Sequence, residues 1–132
     1  MAARYVTTDL NLRARFDLRP LVQRLEESGL VCLGEPRARG GVWSASLEAG
    51  GVSGKIGREI GELLAAVESL DGEERLAWDR CLAREFDLGF ERGGEDLYSD
   101  VLVEPALVQR IAALGGAVRV TICREAEPPN PA

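Results

Sequence analysis

From Arg4 to Phe16 apolar and polar residues alternate: Val6, Thr8, Leu10, Leu12 and Ala14 fall on one side, Asp9, Asn11, Arg13 and Arg15 on the other. Side chains of an extended chain point to opposite faces in turn, so this pattern predicts a half-buried strand. Such a strand needs a sheet around it and a layer over its apolar side. The same period returns at Val42–Glu48, where Trp43, Ala45 and Leu47 share a face, and at Glu85–Arg92, with Phe86, Leu88 and Phe90. It returns last at Ala117–Cys123, with Val118, Val120 and Ile122. Leu30–Leu33 is short enough to be one further strand.

Between these stretches the period lengthens to that of a helix. Asp17 is placed as an N-cap and Pro20 in a first turn, ahead of an apolar stripe of Leu18, Leu21, Val22 and Leu25 that stops at Ser28-Gly29. After the loop Gly34–Gly41, the strand Val42–Glu48 and a glycine-rich turn, Ile56, Ile60, Leu63, Leu64 and Val67 define a second helix from about Ser53. Its small residues Gly57, Gly61 and Ala65 predict close packing within the protein, because Arg58, Glu59 and Glu62 on the same segment forbid a lipid setting. Asp71 is read as the cap of a third helix, Gly72–Ala83, with Trp78, Cys81 and Leu82 inward. Leu97–Val103 is read as extended. Pro105 starts a fourth helix with Leu107, Val108, Ile111 and Leu114 inward, ended by Gly115-Gly116.

The predicted order is β-α-β-β-α-α-β-α-β: one α+β domain over residues 1–124 with a mainly antiparallel sheet, helices on one face, and a ferredoxin-like split β-α-β beginning. Residues 125–132, rich in proline and glutamate, are expected to form a disordered tail. One domain fits the length of 132 residues. No apolar run nears the roughly 20 residues of a membrane span and no signal peptide opens the chain, so a cytoplasmic protein without a membrane partner is expected.

Composition restricts the chemistry. The chain has no histidine, which removes imidazole-based triads, dyads and zinc sites. Cys32, Cys81 and Cys123 are too far apart for a metal knuckle and odd in number, so free cysteines are expected. A net charge of −6, with arginines scattered among acids, argues against a nucleic-acid partner.

Two motifs fail on inspection. Gly93-Gly94-Glu95-Asp96 has the look of a nucleotide-cyclase signature, but the first strand carries no acid in the place where a metal pair would need one, and a turn is expected. In "GGVSGKIG" the first glycine of a P-loop would have to stand five before Gly54, where the chain has Ala49, and Ile56 follows Lys55, so no P-loop forms. A glycine-rich helix start can still hold an anion. The acids Glu91, Glu95, Asp96, Asp100 and Glu104 miss the spacing of a calcium loop. They read as a solvated stretch or a patch for a protein partner. Trp43 and Trp78 are read as core residues.

Laid out in this order, the chain resembles the bacterial family labelled domain of unknown function 4279. The resemblance spans roughly residues 4–124 and rests on Trp43-Ser44 after a glycine-rich loop, the paired helices, the strand Glu85–Phe90 and the closing "LVQRIAALGGAVRVTIC". It implies the architecture above, brings no catalytic residue, and includes suspected immunity proteins among its relatives. The expectation is therefore a non-enzymatic, cofactor-free protein-binding module of immunity or antitoxin type. Its candidate partner surface is Glu91, Glu95, Asp96, Tyr98 and Asp100, facing a basic toxin or other protein, with a homodimer left open. The alternative is a regulatory domain that binds a small metabolite; an enzyme using carboxylates or cysteine comes last.

Overall fold

A computed structural model describes residues 3–51, 53–92 and 100–123. Ten elements follow one another: β1 (Ala3–Ala14), α1 (Arg19–Glu27), β2 (Val31–Cys32), β3 (Arg37–Arg39), β4 (Val42–Glu48), α2 (Ile56–Glu68), α3 (Gly72–Arg80), β5 (Ala83–Arg92), α4 (Pro105–Ala113) and β6 (Ala117–Cys123). The strands form one sheet in the order β2-β4-β1-β5-β6, with β3 beside β4. β4 runs antiparallel to both β1 and β2, so β1 and β2 are parallel with β4 between them. That is the split β-α-β arrangement, with α1 as its crossover. At the far side β5, α4 and β6 form a second β-α-β unit whose two strands are direct parallel neighbours.

The α+β architecture and the one-sided sheet agree with the sequence. All helices contribute to a single core: Leu10, Leu12 and Ala14 of β1, Leu47 of β4 and Phe86 of β5 meet Leu21 and Leu25 of α1, Ile60, Leu63 and Leu64 of α2, Trp78 of α3 and Ile111 of α4. Two polar ties join helix ends to it. Trp78 donates its indole N–H to the Leu114 carbonyl (2.9 Å), satisfying an acceptor at the end of α4. The Arg84 guanidinium donates to the carbonyls of Trp78 and Asp79 in the last turn of α3, of Cys81 just after it and of Gly115 after α4 (2.9–3.3 Å), placing a cation at two helix C-termini. Glu68 and Arg110 bridge α2 and α4 through two bonds of 2.6 and 2.9 Å.

Several local expectations change. The loop Gly34–Gly41 contains β3, folded onto β4 by Gly40 and Gly41, both at positive φ as a tight two-residue hairpin requires. Leu30–Leu33 contributes only two paired residues. Leu18 occupies the N-cap position of α1, while Asp17 still accepts the Arg19 backbone N–H (2.9 Å). Helix α3 ends at Arg80, so Leu82 turns outward, half exposed. Val108 faces out of α4 as well. Residues 100–104 are not in a strand, and residues 97–99 and 125–132 lie outside the described residues.

The largest correction is in β1. Its pairing with β5 slips between Tyr5 and Thr7: Tyr5 stands opposite Phe90 and Thr7 opposite Gly89, leaving Val6 as an extra residue. A β-bulge of this kind exchanges the faces of everything before it. Tyr5 turns inward, and Val6, expected on the apolar side, turns out, 43% exposed.

Candidate functional site

The inward turn of Tyr5 completes a buried polar clasp that the sequence did not announce. Glu59 on α2 is only 1% exposed. Its Oε1 accepts the Tyr5 hydroxyl (2.7 Å) and the Thr8 backbone N–H (3.2 Å), the latter close to the bulge. Its Oε2 accepts the backbone N–H groups of Ser53 and Gly54 (both 2.9 Å). Tyr5 gives its one proton to Glu59, so the Thr8 hydroxyl is the donor across their 2.7 Å contact. Burial would push the Glu59 carboxyl up, but these donors outweigh it and hold it below the usual carboxylate range. Burial pushes the Tyr5 phenol far up. The glycine-rich start of α2 thus does hold an anion, and the anion is the protein's own glutamate. The clasp is saturated and offers no reactive group.

The other face of the sheet is different. Its central residues are polar, and no described helix covers them. Asp9 of β1 stands directly between Glu48 of β4 and Asp87 of β5, which places three carboxylates in line across three adjacent strands. Like charges opposite one another weaken a sheet. Burial, then Glu48, Asp87 and Glu59, pushes the Asp9 carboxyl up from 3.8 to about 6. Its Oδ1 is buried and finds no hydrogen-bond donor among the described residues. Asp87, in contrast, accepts from Asn11 (3.1 Å) and Thr121 (2.7 Å), and Asn11 accepts from Ser46 (2.8 Å). The neighbouring Glu85 is held by two bonds from Arg119. Among the described residues neither Asp9 nor Glu48 receives a side-chain hydrogen bond, and of the two only Asp9 has a buried oxygen left unsatisfied.

Beside Asp9 the face opens into a cleft of about 350 Å³, lined by Val6, Thr7, Asp87, Gly89, Glu91 and Thr121 among others. The bulge aims Val6 at it. Gly89 forms part of its wall: a Cβ there would lie 3.2 Å from the Thr7 carbonyl oxygen, so a side chain would crowd the backbone beside the cleft. Apolar walls with Asp9, Asp87 and Glu91 among them make a place for a group that is cationic at one end and aliphatic along its stem, as Arg and Lys side chains are.

The partner surface expected from the sequence meets this site at one residue. Glu91 lies in β5, lines the cleft and pairs with Arg4 (3.2 Å). Asp100 is exposed and not among the lining residues. Glu95, Asp96 and Tyr98 lie outside the described residues, as do Gly93 and Gly94 of the cyclase-like signature. Asp9, Glu48 and Asp87 were missed because each belongs to a different strand. Only the register brings them together, although Asp9 and Asp87 sit visibly on the polar sides of their strands.

Cys81 and Cys32 are not activated thiols. Burial pushes Cys81 up to about 11 and raises Cys32 as well, the reverse of what a nucleophilic cysteine needs. Among the described residues no cluster of three or more His, Cys, Asp or Glu side chains is arranged to hold a metal ion, and no helix is long and apolar enough to cross a membrane. Trp78 is fully buried in the core; Trp43 is half-buried with the Arg19 guanidinium 5.3 Å above its ring.

No family model, no curated protein and no solved structure matches this chain.

Proposed function

We propose that this chain is a non-enzymatic protein-binding module, of immunity or antitoxin type, that receives a basic partner on the helix-free face of its sheet. The observation that carries the reading is the row Glu48–Asp9–Asp87, with the buried Asp9 Oδ1 lacking a donor among the described residues. A fold that holds three carboxylates in register gives up stability, and an arriving guanidinium or ammonium group restores it through charge-assisted hydrogen bonds. The adjoining cleft receives the stem of the same side chain. The surface therefore lies on the flat of the sheet, with Glu91 at one end of it.

The test is capture from the native cell with tagged wild-type protein and with the D9N/E48Q/D87N variant, at low and at moderate salt. A stoichiometric basic protein retained by wild type, weakened by salt and lost by the variant is expected. A partner held equally by both proteins removes the acidic row from the account.

A second reading has its own support in the cleft, whose volume reaches the lower end of small-ligand sites. A regulatory domain binding a small amine metabolite would use the same acids. Thermal stabilisation of the isolated protein by a panel of amines, absent in D9N, distinguishes it.

A further inference from the structure

The two edges of the sheet are built differently. At one edge β2 has two residues and β3 three, broken by Gly34 and Pro36 and bearing Arg37 and Arg39, which are the usual guards against strand addition. At the other, β6 runs seven residues with no proline, lysine or register slip in its ladder with β5, and its one charged side chain, Arg119, is tied back to Glu85. Val118, Val120 and Ile122 of β6 lie beside Phe86, Leu88 and Phe90, on the side the helices cover, yet remain 51%, 58% and 50% exposed. Val108, which turns out of α4, is exposed by 47%. Among the described residues nothing pairs with this edge, and an apolar strip runs along it.

We propose that β6 is a dimerisation edge, where two copies of this chain pair antiparallel about a two-fold axis through Val120. A second copy fits where an arbitrary strand does not, because the edge is self-complementary. About that axis Val120 meets Val120 of the other copy and Val118 meets Ile122, while Arg119 meets Thr121 on the opposite face without a like-charge clash. A two-fold axis perpendicular to the sheet keeps the helices of both copies on one side. In each copy α4 follows β5 and leads into β6, and it packs against both α2 and β6. Helices seated over the last two strands of each copy would then stand two strand spacings apart, about 10 Å, which is the packing distance of neighbouring helices. The exposed side of α4 meets its counterpart above the joined strands. One symmetry operation thus satisfies both the free backbone edge and the apolar strip.

A seven-residue strand is about 23 Å long, and the strip from the side chains under the sheet to the top of the helix layer is about 20 Å high, so the contact is on the order of 500 Å² per copy, at the low end of specific interfaces. The dimer is expected to depend on concentration. The edge and the acidic row are different surfaces, so either can fail without the other.

Sedimentation equilibrium of the full chain, from low micromolar to several hundred micromolar, is expected to show a monomer–dimer equilibrium. V120K, which sets two ammonium groups face to face across the axis, is expected to leave a monomer. A disulfide trap checks the same register in case that variant folds poorly. Opposed strand residues lie within disulfide reach, so V120C in a C123S background is expected to cross-link under mild oxidation, and V31C on the guarded edge is not. Wild type that stays monomeric throughout, a dimer that persists in V120K, or V31C and V120C cross-linking alike would overturn the proposal. So would a dimer that appears only after residues 124–132 are removed, since the tail would then be the occupant of the edge.

Discussion

Replacing Asp9 by asparagine should stabilise this protein, and should do so only where the carboxylate is charged. The Asp9 carboxyl is pushed up from 3.8 to about 6 by burial and by Glu48, Asp87 and Glu59. A tenfold change in proton affinity is worth about 1.4 kcal/mol, so the full displacement corresponds to about 3 kcal/mol. Asp9 is only half-buried, and solvent screening reduces the cost to about 1 kcal/mol. The sign follows from linkage. An acid whose folded value lies above its unfolded value binds its proton more tightly when folded. Its ionisation therefore costs stability as pH rises from about 4 through about 6. D9N removes that cost and also gives the site a donor. Urea unfolding at pH 7.5 is expected to show D9N more stable by about 1 kcal/mol with an unchanged m-value, equivalent to roughly 3–5 °C in Tm. At pH 4 the two proteins should converge. A loss of stability at pH 7.5, or an equal gain at both pH values, refutes the reasoning that Asp9 is a charge under strain.

Glu59 should behave in the opposite way. E59Q keeps the shape but turns an amide NH₂ toward donors that need an acceptor, and is expected to cost about 3 kcal/mol in urea unfolding at pH 7. Because donors hold its folded carboxyl below the usual range, its contribution is present above the unfolded value of 4.5 and is lost as pH falls through the lower folded one. The wild-type advantage over E59Q should therefore shrink at acid pH. Arg84→Met keeps the aliphatic stem and removes the donors to four carbonyls at the ends of α3 and α4, with an expected loss of about 1.5 kcal/mol. Hydrogen exchange should report the damage first in the last turns of those two helices.

The fold was legible where one physical signal dominates. Period two marked β1, β4, β5 and β6, and the apolar stripes marked α1, α2 and α4, because burying one face is what stabilises each of them. The order of those elements already carried the split β-α-β unit. What the pattern could not show depends on pairing. Tyr5 turns inward because a bulge lets its hydroxyl reach Glu59, and strict alternation has no way to express an inserted residue. Val108 and Leu82 are apolar yet exposed, because an apolar stripe does not say how far a helix extends or which of its flanks is covered. The acidic row suffered most. Glu48, Asp9 and Asp87 are each ordinary polar-face residues, separated by as many as 78 positions between Asp9 and Asp87. Their meaning comes from register alone. The run of acids from Glu91 to Asp100 drew attention because its members are neighbours in sequence, and proximity along the chain is a poor guide to what a sheet assembles.

Carboxylate footprinting of the captured complex tests the central claim most directly. The protein, free and partner-bound, would be labelled with a carbodiimide and a neutral amine and read by mass spectrometry. The account predicts that Asp87 and Glu48 lose reactivity on binding, together with Asp9, while exposed acids of α1 and α3 such as Glu27 and Glu73 react unchanged. Protection confined to those helices, with the acidic row as reactive as in the free protein, would contradict it.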